Sequence, residues 1–310
     1  MALGYDGKLY ILAFDHRGSF QKKMFGIQGD PTPEETATIA DAKHLIFEGM
    51  ELAVQRGSVR GDEIGVLVDE QFGGDIPQQA KPDGLKLAMP VEKSGQDTFD
   101  FEYGDDFGGH IEQFDPDFSK VLVRYNPAGD ADANRAQLEK LKRLADWLHD
   151  HDRKFLFELL VPAEQAQLDA AGGDVERYDA ELRPELMRRA IEEIQDFGVE
   201  VDIWKIEGVD AREDAEILAR QTRTGAGREN VVCVLLGRGA SDEKVDNWLR
   251  VAAPVEGFVG FAIGRSIWWD ALKGFLDRTI SREDAASMVA DNYLRFISVY
   301  EDAERGAAVA

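Results

Sequence analysis

Short apolar runs alternate with stretches of helical spacing from one end of the chain to the other. β-Branched and aliphatic residues crowd 10–14, 64–68, 85–90, 120–125, 155–160, 203–206, 231–236 and 258–263, which predicts eight buried strands. Helical patterns cover 33–55, 131–150, 184–197, 210–222, 242–251 and 267–275, and a last one over 282–300 is expected to pack outside. Thr32 before Pro33 and two glutamates reads as a helix start. Leu138, Leu141, Leu144, Ala145 and Leu148 repeat at helical spacing, as do Leu186, Ala190, Ile191 and Ile194. Trp268, Trp269 and Phe275 fit helix packing. No linker, repeat or low-complexity block divides the chain, so a single domain over 1–310 is expected. Eight strand–helix units predict an α/β fold, a (β/α)8 TIM barrel with an extra C-terminal helix. An open doubly wound sheet competes, but no GxGxxG follows the first strand.

In such a barrel the chemistry sits at the C-terminal strand ends, and here those ends are polar. The first runs into Asp15, His16 and Arg17, the second into Asp69, Glu70 and Gln71, and the third into Glu92, Lys93 and Ser94. The fourth contains Lys120 and ends at Arg124, the fifth holds Glu158, and the sixth holds Lys205 and Glu207. Lys205, between Trp204 and Ile206, is the sharpest signal. Facing inward, desolvation and neighbouring cations would favour its free amine, the form that attacks a ketone to give an imine. The bland alternatives are a lysine snorkelling at a strand end or one paired with Glu207. Glu158 would shuttle protons during carbinolamine breakdown and C–C cleavage. It reads equally as a buried partner of a strand lysine, Lys205 included. Gly237 and Arg238, with Gly264, Arg265 and Ser266, form two Gly-Arg turns after strands seven and eight. There backbone N–H groups and a helix N-terminus suit a phosphate, and ordinary turn chemistry is the alternative. His16 reads as a positioning or structural residue. His110 is placed in the loop after strand three, and His44, His149 and His151 on helices. Histidines this scattered make a poor metal site, so neither metal nor organic cofactor is expected.

The formal net charge of −24 argues against nucleic acid and anionic membranes as partners. It also means that a phosphorylated substrate needs locally concentrated positive charge. The 14 Lys against 22 Arg, in an acid-rich chain, fit either a high-salt proteome or a merely acidic enzyme. Cys233 is the single cysteine, which excludes an internal disulfide framework and a cysteine zinc site. No apolar run approaches the roughly 18 residues of a bilayer span. Residues 1–8 carry no apolar segment of a signal peptide, so a cytoplasmic location is expected.

Seven segments carry a family likeness: 12–20 (LAFDHRGSF), 91–96 (VEKSGQ), 120–130 (KVLVRYNPAGD), 157–163 (FELLVPA), 202–207 (DIWKIE), 236–240 (LGRGA) and 261–268 (FAIGRSIW). Through them the chain resembles the class I tagatose-1,6-bisphosphate aldolases. It resembles more closely the aldolase-like unit of myo-inositol catabolism, which occurs fused to a sugar kinase or alone. The resemblance implies an imine-forming Lys205, an acid/base Glu158, and substrate contacts from Asp15, Arg17, Lys120 and Arg265. Asp69 matches a strand-two acid of the family, whereas Glu70, Gln71 and Phe72 depart from the tagatose-type pattern. Arg124 stands where the tagatose enzymes carry an uncharged residue, which puts a bisphosphate substrate in question. For the inositol-route unit the implied substrate is 2-deoxy-5-keto-D-gluconate 6-phosphate, whose carboxylate suits Arg124 or Arg17. Lys93 and Glu207 join the candidate substrate contacts. The rivals are an aldolase for another ketose phosphate, such as tagatose 1,6-bisphosphate or sulfofructose phosphate, a metal-dependent lyase, and a non-catalytic phosphosugar sensor. A homo-oligomer is the expectation from class I aldolases.

Overall fold

Each of the eight apolar runs forms a strand: β1 (Leu9–Ala13), β2 (Ile64–Leu67), β3 (Lys86–Pro90), β4 (Phe118–Arg124), β5 (Lys154–Leu160), β6 (Ile203–Glu207), β7 (Val232–Leu236) and β8 (Phe258–Ile263). In this computed structural model, which describes residues 2–57, 59–82 and 84–309, they close into one barrel in chain order. The two ends of the expected 1–310 domain, residues 1 and 310, lie outside the described residues. Every neighbouring pair is parallel, and β8 returns to β1 with Leu9 opposite Gly260. At that seam a Cβ on Gly260 would lie 2.0 Å from the Leu9 carbonyl oxygen, and the backbone takes a φ of 153°, so only glycine fits.

Strand alternation splits the apolar residues into two layers. Leu9, Ile11 and Ala13 of β1, Leu156 of β5, Ile203 of β6, Val234 of β7 and Ala262 of β8 form the cluster inside the barrel. The other phase, including Tyr10, Leu12, Val121, Val123, Phe157, Trp204 and Ile206, packs outward under the helices.

The helices are α1 (Gly18–Phe25), α2 (Pro33–Gln55), α3 (Glu70–Gly73), α4 (Ile76–Ala80), α5 (Phe107–Phe114), α6 (Ala131–Asp150), α7 (Gln165–Ala170), α8 (Val175–Arg177), α9 (Arg183–Asp196), α10 (Arg212–Thr222), α11 (Asp242–Ala252), α12 (Arg265–Leu276) and α13 (Arg282–Val309). A π-helical turn, Tyr178–Leu182, precedes α9. Thr32 caps α2 as expected: its Oγ1 accepts from Glu35 N–H at 3.2 Å and Glu35 returns the bond to Thr32 N–H at 2.8 Å. The apolar face of α6 is buried at Leu138, Leu141, Leu144, Ala145 and Leu148. The C-terminal helix α13 lies against α2, α11 and α12. Tyr293 Oη donates to the Tyr10 carbonyl at 2.7 Å, which ties α13 to β1. Trp268 is buried in α12 and its Nε1 donates to the Ala13 carbonyl at 2.9 Å.

The short helices were not expected. α1, α3, α4, α5 and α7 span four to eight residues, too few turns for a periodic apolar face to stand out. His110, expected in a loop, lies on α5, where its ring stacks on Tyr103 at 3.5 Å between centroids. Among the described residues, no helix is long and apolar enough to cross a membrane.

Candidate active site

The alternation that buries Trp204 and Ile206 under the helices turns Lys205 into the barrel, and the strand register sets Glu158 directly opposite it. Lys120 on β4 keeps the inward phase of Phe118. These three side chains form the floor of a cavity of about 170 Å³ at the C-terminal ends of β1, β3, β4, β5 and β6. Asp15, His16, Arg17, Glu92, Lys93 and Arg124 also line it, and the segment 92–99 forms one continuous wall.

Glu158 Oε2 lies 3.0 Å from Lys205 Nζ and 3.0 Å from Lys120 Nζ. Lys120 also donates to Asp15 Oδ2 at 2.8 Å and to Glu92 Oε1 at 2.9 Å, so its three N–H groups meet three carboxylates. The ammonium is 1% exposed. Burial alone would lower the Lys120 pKa, but Asp15, Glu158 and Glu92 outweigh it and hold the group protonated. Burial raises the Asp15 and Glu158 carboxyls in the same way. Lys120 and Lys205 reverse that push, and both end below the usual carboxylate range. The His16 imidazole is pushed down to about 4 by desolvation, with Arg265, Lys205 and Lys43 acting in the same direction against Asp15. It is therefore neutral at neutral pH. Its ring meets Trp268 edge-on at 5.5 Å.

Arg17 is buried and largely engaged. Nη1 donates to Glu102 Oε2 at 2.9 Å and Nη2 to the Glu92 carbonyl at 2.7 Å. Arg124 is exposed at the rim and donates to the Gln96 carbonyl at 2.8 Å. Lys93 stands exposed beside it on the wall. Three buried side-chain atoms of the lining, His16 Nδ1, Arg17 Nε and Glu92 Oε2, have no hydrogen-bond partner among the described residues. Buried polar atoms rarely stay unpaired, so this wall suits a polar ligand.

The other candidates lie away from the cavity. Asp69 is fully buried between β2 and α2, where it pairs with Lys43 and accepts from Phe72 N–H at 2.8 Å to cap α3. Glu207 turns towards the β5–β7 corner. It accepts from Val161 N–H at 3.0 Å and meets Arg238 Nε at 3.1 Å, and burial, offset in part by Arg183 and Arg238, raises its pKa. Arg238 is held on its other side by Asp179 at 2.6 Å, in a backbone conformation of φ 52°. Gly237, Gly264, Arg265 and Ser266 gather at the β7 and β8 ends, with Arg265 Nη2 donating to the Arg238 carbonyl at 3.0 Å. Arg265 and Ser266 line a separate hollow together with Lys23 of α1 and Ser241, the N-cap of α11. His16 is where the two regions approach, since a Cβ on Gly264 would lie 3.0 Å from its ring.

A family model described as an uncharacterised protein conserved in bacteria (DUF2090) matches residues 5–304. The chain belongs to the DUF2090 family. By sequence, this DUF2090 chain is similar to tagatose 1,6-diphosphate aldolase 2 of Streptococcus pyogenes. The serotype M6 protein is 26% identical and the serotype M1 protein 25% identical, each over 295 residues covering 89% of this chain and 84% of the relative. Solved structures share the fold. The fructose-bisphosphate aldolase of Plasmodium falciparum superposes with a TM-score of 0.65 at 15% identity, covering 95% of this chain and 91% of the other. The Cgl0159 protein of Corynebacterium glutamicum gives 0.58 at 18% identity, covering 94% and 88%. A Schiff-base-forming fructose-1,6-bisphosphate aldolase gives 0.56 at 14% identity, covering 94% of each chain.

Sequence reasoning passed over part of this DUF2090 site. Glu92 was noticed at a strand end but not assigned to the site, although it keeps the inward phase of Ala88 two steps beyond Pro90. Ser94, noticed at the same strand end, accepts from Gly18 N–H at the start of α1, and Glu102, which holds Arg17, gave no signal because its partner lies 85 residues away. Among the described residues, no group of three or more His, Cys, Asp or Glu side chains could hold a metal ion. The carboxylates of the cavity converge on an ammonium instead.

Proposed function

We propose that this protein is a class I aldolase that cleaves a phosphorylated keto sugar acid through an imine on Lys205. The observation that carries the reading is the buried Lys205 amine, 3.0 Å from a carboxylate that shares its oxygen with a second ammonium. Glu158 can take a proton from the attacking amine and return it to the carbinolamine hydroxyl, so that water leaves. The protonated imine then accepts the electron pair of the breaking C–C bond, while Glu158 removes the proton from the hydroxyl on the departing fragment. Lys120 remains protonated throughout and steadies Glu158 and Asp15 in their charged forms.

The substrate we favour is 2-deoxy-5-keto-D-gluconate 6-phosphate. Lys205 would attack C5, the C3–C4 bond would break to release malonate semialdehyde, and protonation of the enamine followed by hydrolysis of the imine by water would release dihydroxyacetone phosphate and free Lys205. Arg124 and Lys93 support a carboxylate at the distal end, because among the described residues no carboxylate is hydrogen-bonded to either. Gly237, Gly264, Arg265 and Ser266 are the groups we assign to the phosphate, and Arg238, held by Asp179 and Glu207, shapes the loop behind them. Asp15, His16 and Arg17 would orient the sugar hydroxyls. A second reading, tagatose 1,6-bisphosphate as substrate, is favoured by the sequence relatives.

The test is borohydride reduction in the presence of dihydroxyacetone phosphate, followed by peptide mass spectrometry. A stable adduct on Lys205 is expected. No adduct on any lysine, with binding of the ligand shown independently, would sink the imine mechanism. Turnover of the two candidate substrates side by side then decides between a carboxylate and a second phosphate.

A further inference from the structure

Glu92 enters the cavity from the wall formed by 92–99, and its two oxygens have different surroundings. Oε1 takes both nearby cations, Lys120 at 2.9 Å and Arg17 at 3.4 Å. Oε2 is buried and has no hydrogen-bond partner among the described residues. Lys120 donates to Asp15 and to Glu92 Oε1 and lies 3.0 Å from Glu158 Oε2, and no hydrogen bond from it reaches Glu92 Oε2. Arg17 spends Nη1 on Glu102 and Nη2 on the Glu92 carbonyl and Oε1, while its Nε, like Oε2, makes no hydrogen bond among the described residues.

We propose that Glu92 is a substrate-binding residue that works as a neutral carboxylic acid, with Oε1 accepting from Lys120 and Arg17 and a protonated Oε2 donating to an oxygen of the bound sugar acid. This rests on the aldolase reading for the identity of the ligand, but not for the state of the carboxyl.

An ionised carboxylate with one oxygen shut away from every donor is a costly arrangement in a buried site. Protonation turns that oxygen from an unmatched acceptor into a donor, the role a neutral carboxyl plays wherever an apolar setting keeps its proton on. The surrounding charges agree. The groups packed on Glu92 are Lys120 from β4, and Asp15 and Arg17 from the segment after β1, with Glu158 across Lys120. Burial raises the Glu92 carboxyl and Asp15 adds to it, so that Lys120 and Arg17 together do not restore it to its ordinary value. Of the three acids around Lys120, Asp15 and Glu158 move down and Glu92 moves up. A neutral Glu92 also spares an anionic substrate a repulsive neighbour on the wall that carries Lys93.

Two measurements test this on the full chain. Infrared difference spectra of wild type against Glu92→Gln at neutral pH need no substrate. The wild type is expected to show a protonated carboxyl C=O band that the variant lacks, and absence of that band overturns the proposal. Steady-state cleavage of the keto sugar acid phosphate supplies the second readout. Glu92→Leu is expected to raise KM by about tenfold, the loss of one buried hydrogen bond. Glu92→Gln, neutral and of the same shape, is expected to recover most of that loss. Wild-type KM should also rise with pH as Oε2 loses its proton, whereas that of Glu92→Gln should not. Equal damage from both variants, or parallel pH profiles for wild type and Glu92→Gln, would show a charged structural link to Lys120 and refute the assignment. If the wild type forms no Lys205 adduct and turns over no ketose phosphate, the aldolase reading falls, and the infrared band alone decides the state of Glu92.

Discussion

Replacing Lys120 by methionine removes one charge from beneath three acidic side chains and leaves the volume nearly unchanged. Asp15, Glu92 and Glu158 approach that ammonium at 2.8, 2.9 and 3.0 Å, and it is 1% exposed. Breaking a buried ion pair by deleting one partner costs about 3–5 kcal/mol, and here three acids lose the same partner. We therefore expect Lys120→Met to lose at least the lower end of that range at neutral pH. The pH dependence carries the sharper information. In the wild type the Asp15 and Glu158 carboxyls are held below their usual range, so their contribution is present above an ordinary carboxyl pKa of about 4 and is lost only as pH falls through the lowered values. In the variant, burial acts without the ammonium, and the folded state should hold protons that the unfolded chain has released. Its stability should then fall as pH rises, by about 1.4 kcal/mol per pH unit for each proton retained. Urea unfolding followed by circular dichroism at several pH values between 5 and 8 measures both quantities. A deficit below about 1 kcal/mol, or one that is flat with pH, would refute the account of Lys120 as the hub of three buried acids.

Three further expectations concern the frame. Gly260→Ala should cost on the order of 3 kcal/mol or prevent folding, because the new Cβ falls on the Leu9 carbonyl at a φ closed to other residues; a thermal midpoint equal to wild type would contradict the close β8–β1 seam. Asp202 accepts from Gly4 N–H, Phe155 N–H and Lys154 at 2.9 Å each and faces His149 at 3.0 Å, so Asp202→Asn should lose about 2–3 kcal/mol in urea unfolding at pH 7. Its carboxyl sits below the usual range, so the gap to wild type should stay open above about pH 4 and close only under stronger acid. Burial pushes the Cys233 thiol up to about 12, so a chromogenic thiol reagent at neutral pH should label it only as the protein unfolds, and rapid labelling of the native protein would contradict its place under the helices.

The barrel was legible because each strand carries its own signal. Val231–Leu236-type runs of β-branched residues need no knowledge of their neighbours, and Lys205 stands out because charge in such a run is rare. The candidates that lie away from the cavity do so for one reason. Asp69, Glu207 and Arg238 sit at strand ends, where site residues belong, yet each is taken by a distant partner: Lys43 on α2, Val161 N–H after β5, and Asp179 in the π-helical turn. Strand position says that a side chain stands at the mouth of the barrel, not which neighbour claims it. Glu92 was missed for the converse reason, since the wall that makes it part of the cavity is created by the fold of 92–102 back onto itself, with Glu92 bridging to Phe101.

That wall has an evolutionary consequence. The groups proposed to break bonds stand on three different strands, where any exchange disturbs the barrel. Eight consecutive residues, 92–99, supply the opposite side. A single exchanged stretch of gene could therefore re-tailor what the cavity admits while the floor beneath it is inherited unchanged, so that one reaction type can be dealt out among many substrates by splicing at a single place.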